Sequence, residues 1–232
     1  MDRTYSLSPA QVEAEQQRFI VKVYSWMSLA LGITGLISML IASSETALRL
    51  IVGNSFVFYG LLIGEFLLVA YLSAVVEKLS ASLATAVFLL YAALNGLTFS
   101  VIFVIYTSAS ISSTFYITAG TFALTSFYGY VTKSDLTKMG NLLIMALIGL
   151  ILASIVNLFL QSAAFYWITT YIGVIIFVGL TAYDTQKIKN MNIIGNEGTE
   201  EDQKEAIMGA LTLYLDFINL FLYLLRIFGR RK

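Results

Sequence analysis

The residues best placed to do chemistry are ionisable side chains inside long apolar runs, and this chain has three: Glu65, Asp184 and Asp216. Each such group costs about 2.5–3.5 kcal/mol at the centre of a membrane helix, so its presence asks for a partner or a function. Asp216 has ten uncharged residues before it and nine after it, up to Arg226. Asp184 stands at the end of another apolar run and is followed by Gln186, Lys187 and Lys189. It reads either as a hydrated boundary acid paired with one of those lysines or as half of a carboxylate pair with Asp216. The roughly twenty residues between the two apolar segments allow them to run antiparallel with the aspartates face to face. Two facing carboxylates titrate as a unit. Doubly ionised they attract a cation; sharing a proton they hydrogen-bond to each other and close the site. Two carboxylates are too few for a tight calcium site of 6–8 oxygens. Weak binding suits permeation, in which the ion must also leave.

Composition narrows the chemistry further. The 232 residues contain no His and no Cys, which excludes disulfides, thiolate catalysis, iron–sulfur clusters and His-ligated metals. Any proton switch near neutral pH therefore rests on carboxylates. Fourteen basic and fourteen acidic residues balance, so there is no electrostatic case for a nucleic-acid partner. No cofactor motif is present, neither a Walker loop nor a dinucleotide fingerprint. Glu65, with Gly60 and Gly64 nearby, reads either as a neutral acid hydrogen-bonded to a neighbouring helix or as a residue of an ion pathway. Asn95 and Asn157 read as interhelical hydrogen-bond glue.

The elements that must position these acids are membrane helices. Hydrophobic residues make up 58% of the chain and charged ones 12%, against roughly 45–50% and 25% in soluble domains. Residues 23–44 carry no charge, and 22 residues suffice to cross a hydrocarbon core of about 30 Å. Residues 50–76 hold only Glu65 and form a second span. The uncharged stretch 79–132 divides at Thr107–Ser113 into spans three and four, and 139–183 divides near Gln161-Ser162 into spans five and six. Tyr166 and Trp167 sit at the start of span six as interface anchors. The last span, about 206–228, is amphipathic: Gly209, Thr212, Asp216, Asn219, Tyr223 and Arg226 recur at intervals of three and four and share one helical face. A helix packed among the others fits this pattern better than one lying on the membrane surface, because the polar face carries no Lys.

With a cytoplasmic N-terminus and seven spans, nine Lys and Arg lie inside and five outside, four of the five in the C-terminal tail. That tail runs against the positive-inside rule, and a re-entrant last helix on six spans is the alternative topology. Residues 1–19 are polar and read as a cytoplasmic arm, leaving 20–232 as one transmembrane domain. The first span is too long for the apolar region of a signal peptide and is expected to remain in the mature protein. Glu197–Asp202 reads as a solvated acidic loop; the ligand spacing and fixed glycine of a calcium loop are missing.

Three segments carry a resemblance. Ala182-Tyr183-Asp184-Thr185-Gln186-Lys187-Ile188, Leu213 through Phe221 with Asp216 at its centre, and Ala93-Leu94-Asn95-Gly96-Leu97 closely resemble the Bax inhibitor-1 (transmembrane Bax inhibitor motif) family. The resemblance covers essentially the whole order of spans. It implies an all-α fold of seven transmembrane helices with the seventh central, and a pH-sensitive calcium leak in which Asp184 and Asp216 form the pH sensor and transient calcium site. Calcium is then the permeant ion, and no cofactor is implied. Bacterial calcium-leak members carry an arginine near the end of span two that latches onto the span-six aspartate. Here Val76, Glu77 and Lys78 occupy that region, with Lys78 the candidate substitute, and Glu65 and Asn219 join it as candidate pathway or latch residues. The compact length resembles bacterial members of the cytoplasmic membrane.

Two other functions compete with the leak. One is a membrane interaction protein that modulates a membrane protease or another complex, with the N-terminal arm as the working part. The other is an intramembrane aspartyl protease, since two acids sharing a proton is the required chemistry. Tyr183-Asp184 fits half of that enzyme pattern, but the second aspartate lacks a glycine-rich lead, and no enzyme activity is expected.

Overall fold

The computed structural model of the chain describes residues 8–232. Among them the fold is helical: α1 (Pro9–Ala42), α2 (Glu45–Ile51), α3 (Ser55–Val75), α4 (Ala81–Ile105), α5 (Ser108–Val131), α6 (Thr137–Leu160), α7 (Ala163–Met191) and α8 (Glu200–Phe228), with a 3-10 turn at Val76–Lys78. Six of these, all but α2 and α5, are long and apolar enough to cross a membrane. Helix α5 has the length, 24 residues, but Ser, Thr, Gly and Tyr dilute its apolar content. Seven long helices thus stand where the uncharged runs predict seven spans.

The boundaries follow local chemistry. Ser8 caps α1 in a reciprocal box with Gln11, and Pro9 occupies the first turn, where a missing N–H costs nothing. The polar stretch after residue 8 is therefore helical and continuous with the first span; residues 1–7 of the predicted arm lie outside the described residues. The second span starts later than expected. Glu45–Ile51 forms a separate short helix with an Arg49–Glu45 ion pair, and the Asn54 side chain caps α3 by accepting the Phe56 and Val57 N–H groups. Asn157 acts as a cap as well, its Oδ1 accepting the Ser162 N–H.

The chain forms two compact units, one of residues through Ser100 with Ile188–Leu211, the other of Val101–Lys187 with Thr212–Lys232. In the first, α1 and α4 approach at Gly96, where a Cβ would meet Ile37 Cβ at 2.7 Å. The Thr34 and Ser38 hydroxyls donate across this interface to the Ala92 and Gly96 carbonyls at 2.8 and 2.9 Å. These residues are the interhelical glue; Asn95 instead donates to Tyr91 O of its own helix.

The segment between α7 and α8 is clasped to α1 in the same unit. Arg18 forms a bidentate pair with Glu197, Lys22 Nζ lies 3.0 Å from Asp202 Oδ2, and the buried Glu15 carboxylate accepts the Gly195 N–H. The solvated-loop expectation for Glu197–Asp202 is corrected here. Glu200, Glu201 and Asp202 form the first turn of α8, where acids complement the helix dipole, and Asp202 is buried against Lys22. The Glu200 carboxylate also accepts the Ala81 N–H at the start of α4.

In the second unit the apolar core gathers Leu150 of α6, Ile176, Phe177 and Leu180 of α7, and Leu220 and Leu224 of α8. Phe115 and Phe122 of α5 meet the Phe217 ring, centroids 5.5 and 5.4 Å apart. Helix α8 is the most buried of the six apolar long helices and α6 the least. The many exposed Leu, Ile and Phe side chains of α3 and α6 form the surface expected to meet lipid.

Candidate functional site

Helices α7 and α8 run antiparallel in the second unit, and three contacts fix their register. Asp184 faces Asp216, the Phe177 and Tyr223 rings stack at 5.8 Å, and the Arg226 guanidinium lies over the Tyr166 ring at 5.4 Å. Their residue numbers sum to 400, 400 and 392, the near-constant sum of an antiparallel pair. Asp216, Tyr223 and Arg226 of the stripe, recognisable by its three- and four-residue spacing, meet α7 along this register. Close approach is possible because Gly173 lies under Tyr223: a Cβ there would meet the Tyr223 ring at 2.5 Å.

The two carboxyls lie within hydrogen-bonding reach of each other. Both residues are buried, and Asp216 Oδ2 has no hydrogen-bond partner. A hydrogen bond between two carboxyls requires a proton on one of them, since two carboxylates offer only acceptors. Lys187, one turn beyond Asp184, is close enough to act on it electrostatically, while its own ammonium is exposed and sits 6.0 Å from the Tyr183 ring centre. The site is thus an acid pair at its centre with a cation at its margin.

Small residues and one amide hold Asp184 in place. Gly129 of α5 lies against the Ala182 carbonyl and Gly140 of α6 against the Tyr183 ring, so that any side chain at either glycine would collide with α7. Thr185 donates to Thr181 O, and its Oγ1 lies 3.3 Å from the Ser126 hydroxyl of α5, which can donate to it. The Gln186 side chain bridges to the connection between α5 and α6, donating to Ser134 O and accepting the Leu136 N–H, both at 2.9 Å. In that connection Asp135 accepts the Thr137 N–H, and its hydrogen bonds to Thr137 hold its carboxyl below the usual range. Gln186 and Gly129 are positioning residues that the sequence reading passed over. Their signal, a polar or minimal residue beside a buried acid, emerges only when the neighbouring helix is known.

The remaining candidates lie elsewhere. Asn219, one turn beyond Asp216, donates to Leu215 O at 2.8 Å within α8. Glu65 and Lys78 belong to the other unit. Glu65 is buried in α3 beside Thr98, with Oε1 lacking a partner, while Lys78 is exposed at the end of the 3-10 turn. Among the described residues no group of three or more acids is arranged to hold a metal ion.

Comparison with known proteins agrees with this architecture. The sequence profile of the family described as Inhibitor of apoptosis-promoting Bax1 matches residues 16–232. The inner membrane protein YbhL of Escherichia coli K12 is 53% identical over 234 aligned residues, covering 100% of both chains. A Borreliella burgdorferi protein is 46% identical over 94% of both, and a membrane protein of Streptococcus pyogenes serotype M3 is 37% identical over 95% of this chain and 96% of its own. The chain is a multi-pass protein of the bacterial inner membrane. A profile match over nearly the whole length, on a fold of long apolar helices, makes the chain a member of the Bax inhibitor-1 family.

Proposed function

We propose that this protein is a pH-sensitive calcium leak of the inner membrane, with Asp184 and Asp216 as its proton-responsive gate. The observation that carries the reading is the facing of two buried carboxyls in a chain without histidine or cysteine. With one proton between them the carboxyls bind each other and α7 stays against α8. Loss of that proton leaves two negative charges that repel and that a divalent cation can neutralise. Calcium is cargo here, held by too few oxygens to be retained. Lys78, Glu65 and Asn219 are secondary candidates for latch or pathway roles. The chain on this reading moves ions and catalyses no covalent step.

The test is calcium uptake into proteoliposomes over roughly pH 5–8, the range a displaced carboxyl would cover. Wild type should show flux that rises with pH, and Asp184→Asn or Asp216→Asn should remove the pH response. Flux equal to that of empty liposomes at every pH would overturn the proposal.

A second reading, a partner-regulating membrane protein acting on a protease or another complex, is favoured by a hollow of about 670 Å³ in the first unit. It is lined by Met191, Ile193 and Met208, by the acids Glu77, Glu201 and Glu205 and by one cation, Lys204, which donates to Glu77 O; three acids against one base suit a basic amphipathic segment of the partner. Loss of a partner-dependent effect on deleting residues 1–18 or in Glu77→Gln/Glu201→Gln, with flux intact, would place the function there.

A further inference from the structure

We infer that the end of the second unit formed by the α4–α5 turn, the start of α7 and the tail after α8 is a binding surface for anionic phospholipid headgroups. The last turn of α8 holds Arg226 and the tail after it Arg230, Arg231 and Lys232, and that tail is not free chain. Thr107 N–H donates to Arg230 O and Lys232 N–H to Ile105 O, each at 2.9 Å, and Tyr106 and Arg231 form an antiparallel bridge. Gly229 permits the turn into this bridge: a Cβ there would meet the Tyr106 ring at 2.5 Å. The backbone is pinned while the Arg230 and Arg231 side chains remain exposed. Among the described residues neither guanidinium is in an ion pair.

Charge at this end is of one sign. The acids of the unit are Asp135, in the α5–α6 connection at the opposite end, and the buried Asp184 and Asp216. Arg230 and Arg231 are therefore exposed at an end where the unit has no acidic side chain, while Lys232 Nζ donates to Phe103 O at 2.6 Å; the unit's other basic residues, Lys133, Lys138 and Lys187, lie at the opposite helix ends. An uncompensated cluster that runs against the usual charge distribution is accounted for if the counter-ion is lipid phosphate, which arginine can grip with two parallel N–H donors.

Aromatic groups at the same end match the depth of a headgroup layer. Trp167 stacks on Tyr171 at 6.0 Å and meets Tyr166 edge-on at 5.6 Å, and all three lie in the first turns of α7. Trp167, Tyr171 and Phe228 are each 41% exposed or more, a belt that glycerol and upper acyl carbons would cover. Arg226 is held over the Tyr166 and Tyr223 rings and so sits at the inner edge of this surface.

The full-length protein, purified in detergent, would be titrated with phosphatidylglycerol or phosphatidylcholine and the bound lipid read by native mass spectrometry. Wild type should bind phosphatidylglycerol more tightly, with the preference falling as salt rises. Arg230→Gln/Arg231→Gln should weaken that binding about 25-fold, about fivefold per charge removed, and Arg230→Lys/Arg231→Lys should recover most of it. Lys133→Gln/Lys138→Gln at the opposite end should leave it unchanged. Equal binding of the two lipids by wild type overturns the proposal without recourse to any variant. So does an equal loss in the Lys133/Lys138 variant, or displacement by soluble glycerol phosphate at matched concentration, which would make the ligand free phosphate instead of lipid.

Discussion

Carboxylates in two parts of this molecule meet opposite fates. In the first unit three carboxylates clasp α1 to the α7–α8 segment: Glu197 and Asp202 through Arg18 and Lys22 of α1, and Glu15 of α1 through the Gly195 N–H. In the second unit Asp184 and Asp216 have chiefly each other, with Lys187 at the margin. The same functional group makes a clasp where an N–H donor reaches it and an acid–acid contact where the nearest cation stays at the margin. Burial alone does not separate them, since Asp202 and Glu15 are as buried as the aspartate pair. The difference is the identity of the partner. A carboxylate facing Lys or Arg meets a donor of opposite charge, whereas two facing carboxyls can hydrogen-bond only when one of them carries a proton.

This contrast can be broken most severely at the pair. Asp216→Asn should abolish the pH response of calcium flux while a hydrogen bond to Asp184 keeps the helices together; measured flux that follows the wild-type pH profile would remove the pair from the mechanism. Next in size is the packing that seats Asp184. Gly129→Leu would drive a side chain into the Ala182 carbonyl and should cost about 1–3 kcal/mol, seen as a lower thermal midpoint in detergent. On the clasp, Lys22→Met leaves Asp202 buried with only the Gly198 N–H and should cost about 1–2 kcal/mol, less than a fully buried pair because Lys22 is partly solvated. Gln186→Ala frees Ser134 O and Leu136 N–H and should cost about 1 kcal/mol, with faster hydrogen exchange at 132–137. The smallest effect belongs to Arg18→Gln, since that pair is exposed. Hydrogen bonding to Arg18 holds the Glu197 carboxyl below its usual range. Its contribution is therefore present above the ordinary glutamate range and lost as pH falls through the lowered one. Exchange at 192–199 should quicken on acidification in wild type and show less of that change in Arg18→Gln.

Much of the fold was legible because charge is so costly in a membrane that its absence marks the spans. The breaks at Thr107 and at Gln161-Ser162 fall within a residue or two of the observed turns, and Gln161 adopts the left-handed conformation that ends α6. Boundaries failed where capping overrode hydropathy. Asn54 starts α3 inside a run that is apolar on both sides, and Ser8 starts α1 well before its apolar stretch begins. The acids after residue 197 were misread because a helix's first turn and a solvated loop share the same composition; only the position of Lys22, some 180 residues away in sequence, separates them.

By itself the sequence determined that the protein crosses a membrane, where the breaks at Thr107 and Gln161-Ser162 fall, and that Asp184, Asp216 and Glu65 are the acids for which membrane burial is costly. It also set the three- and four-residue spacing that puts Asp216 on the same face as Tyr223 and Arg226. Only the tertiary structure decided that this face meets α7 in a register that opposes the two aspartates, and that Glu65 has Thr98 beside it in the other unit. The physical reason is that helix formation and membrane insertion depend on local composition, whereas register depends on where glycines such as Gly173, Gly129 and Gly140 let particular pairs of helices touch.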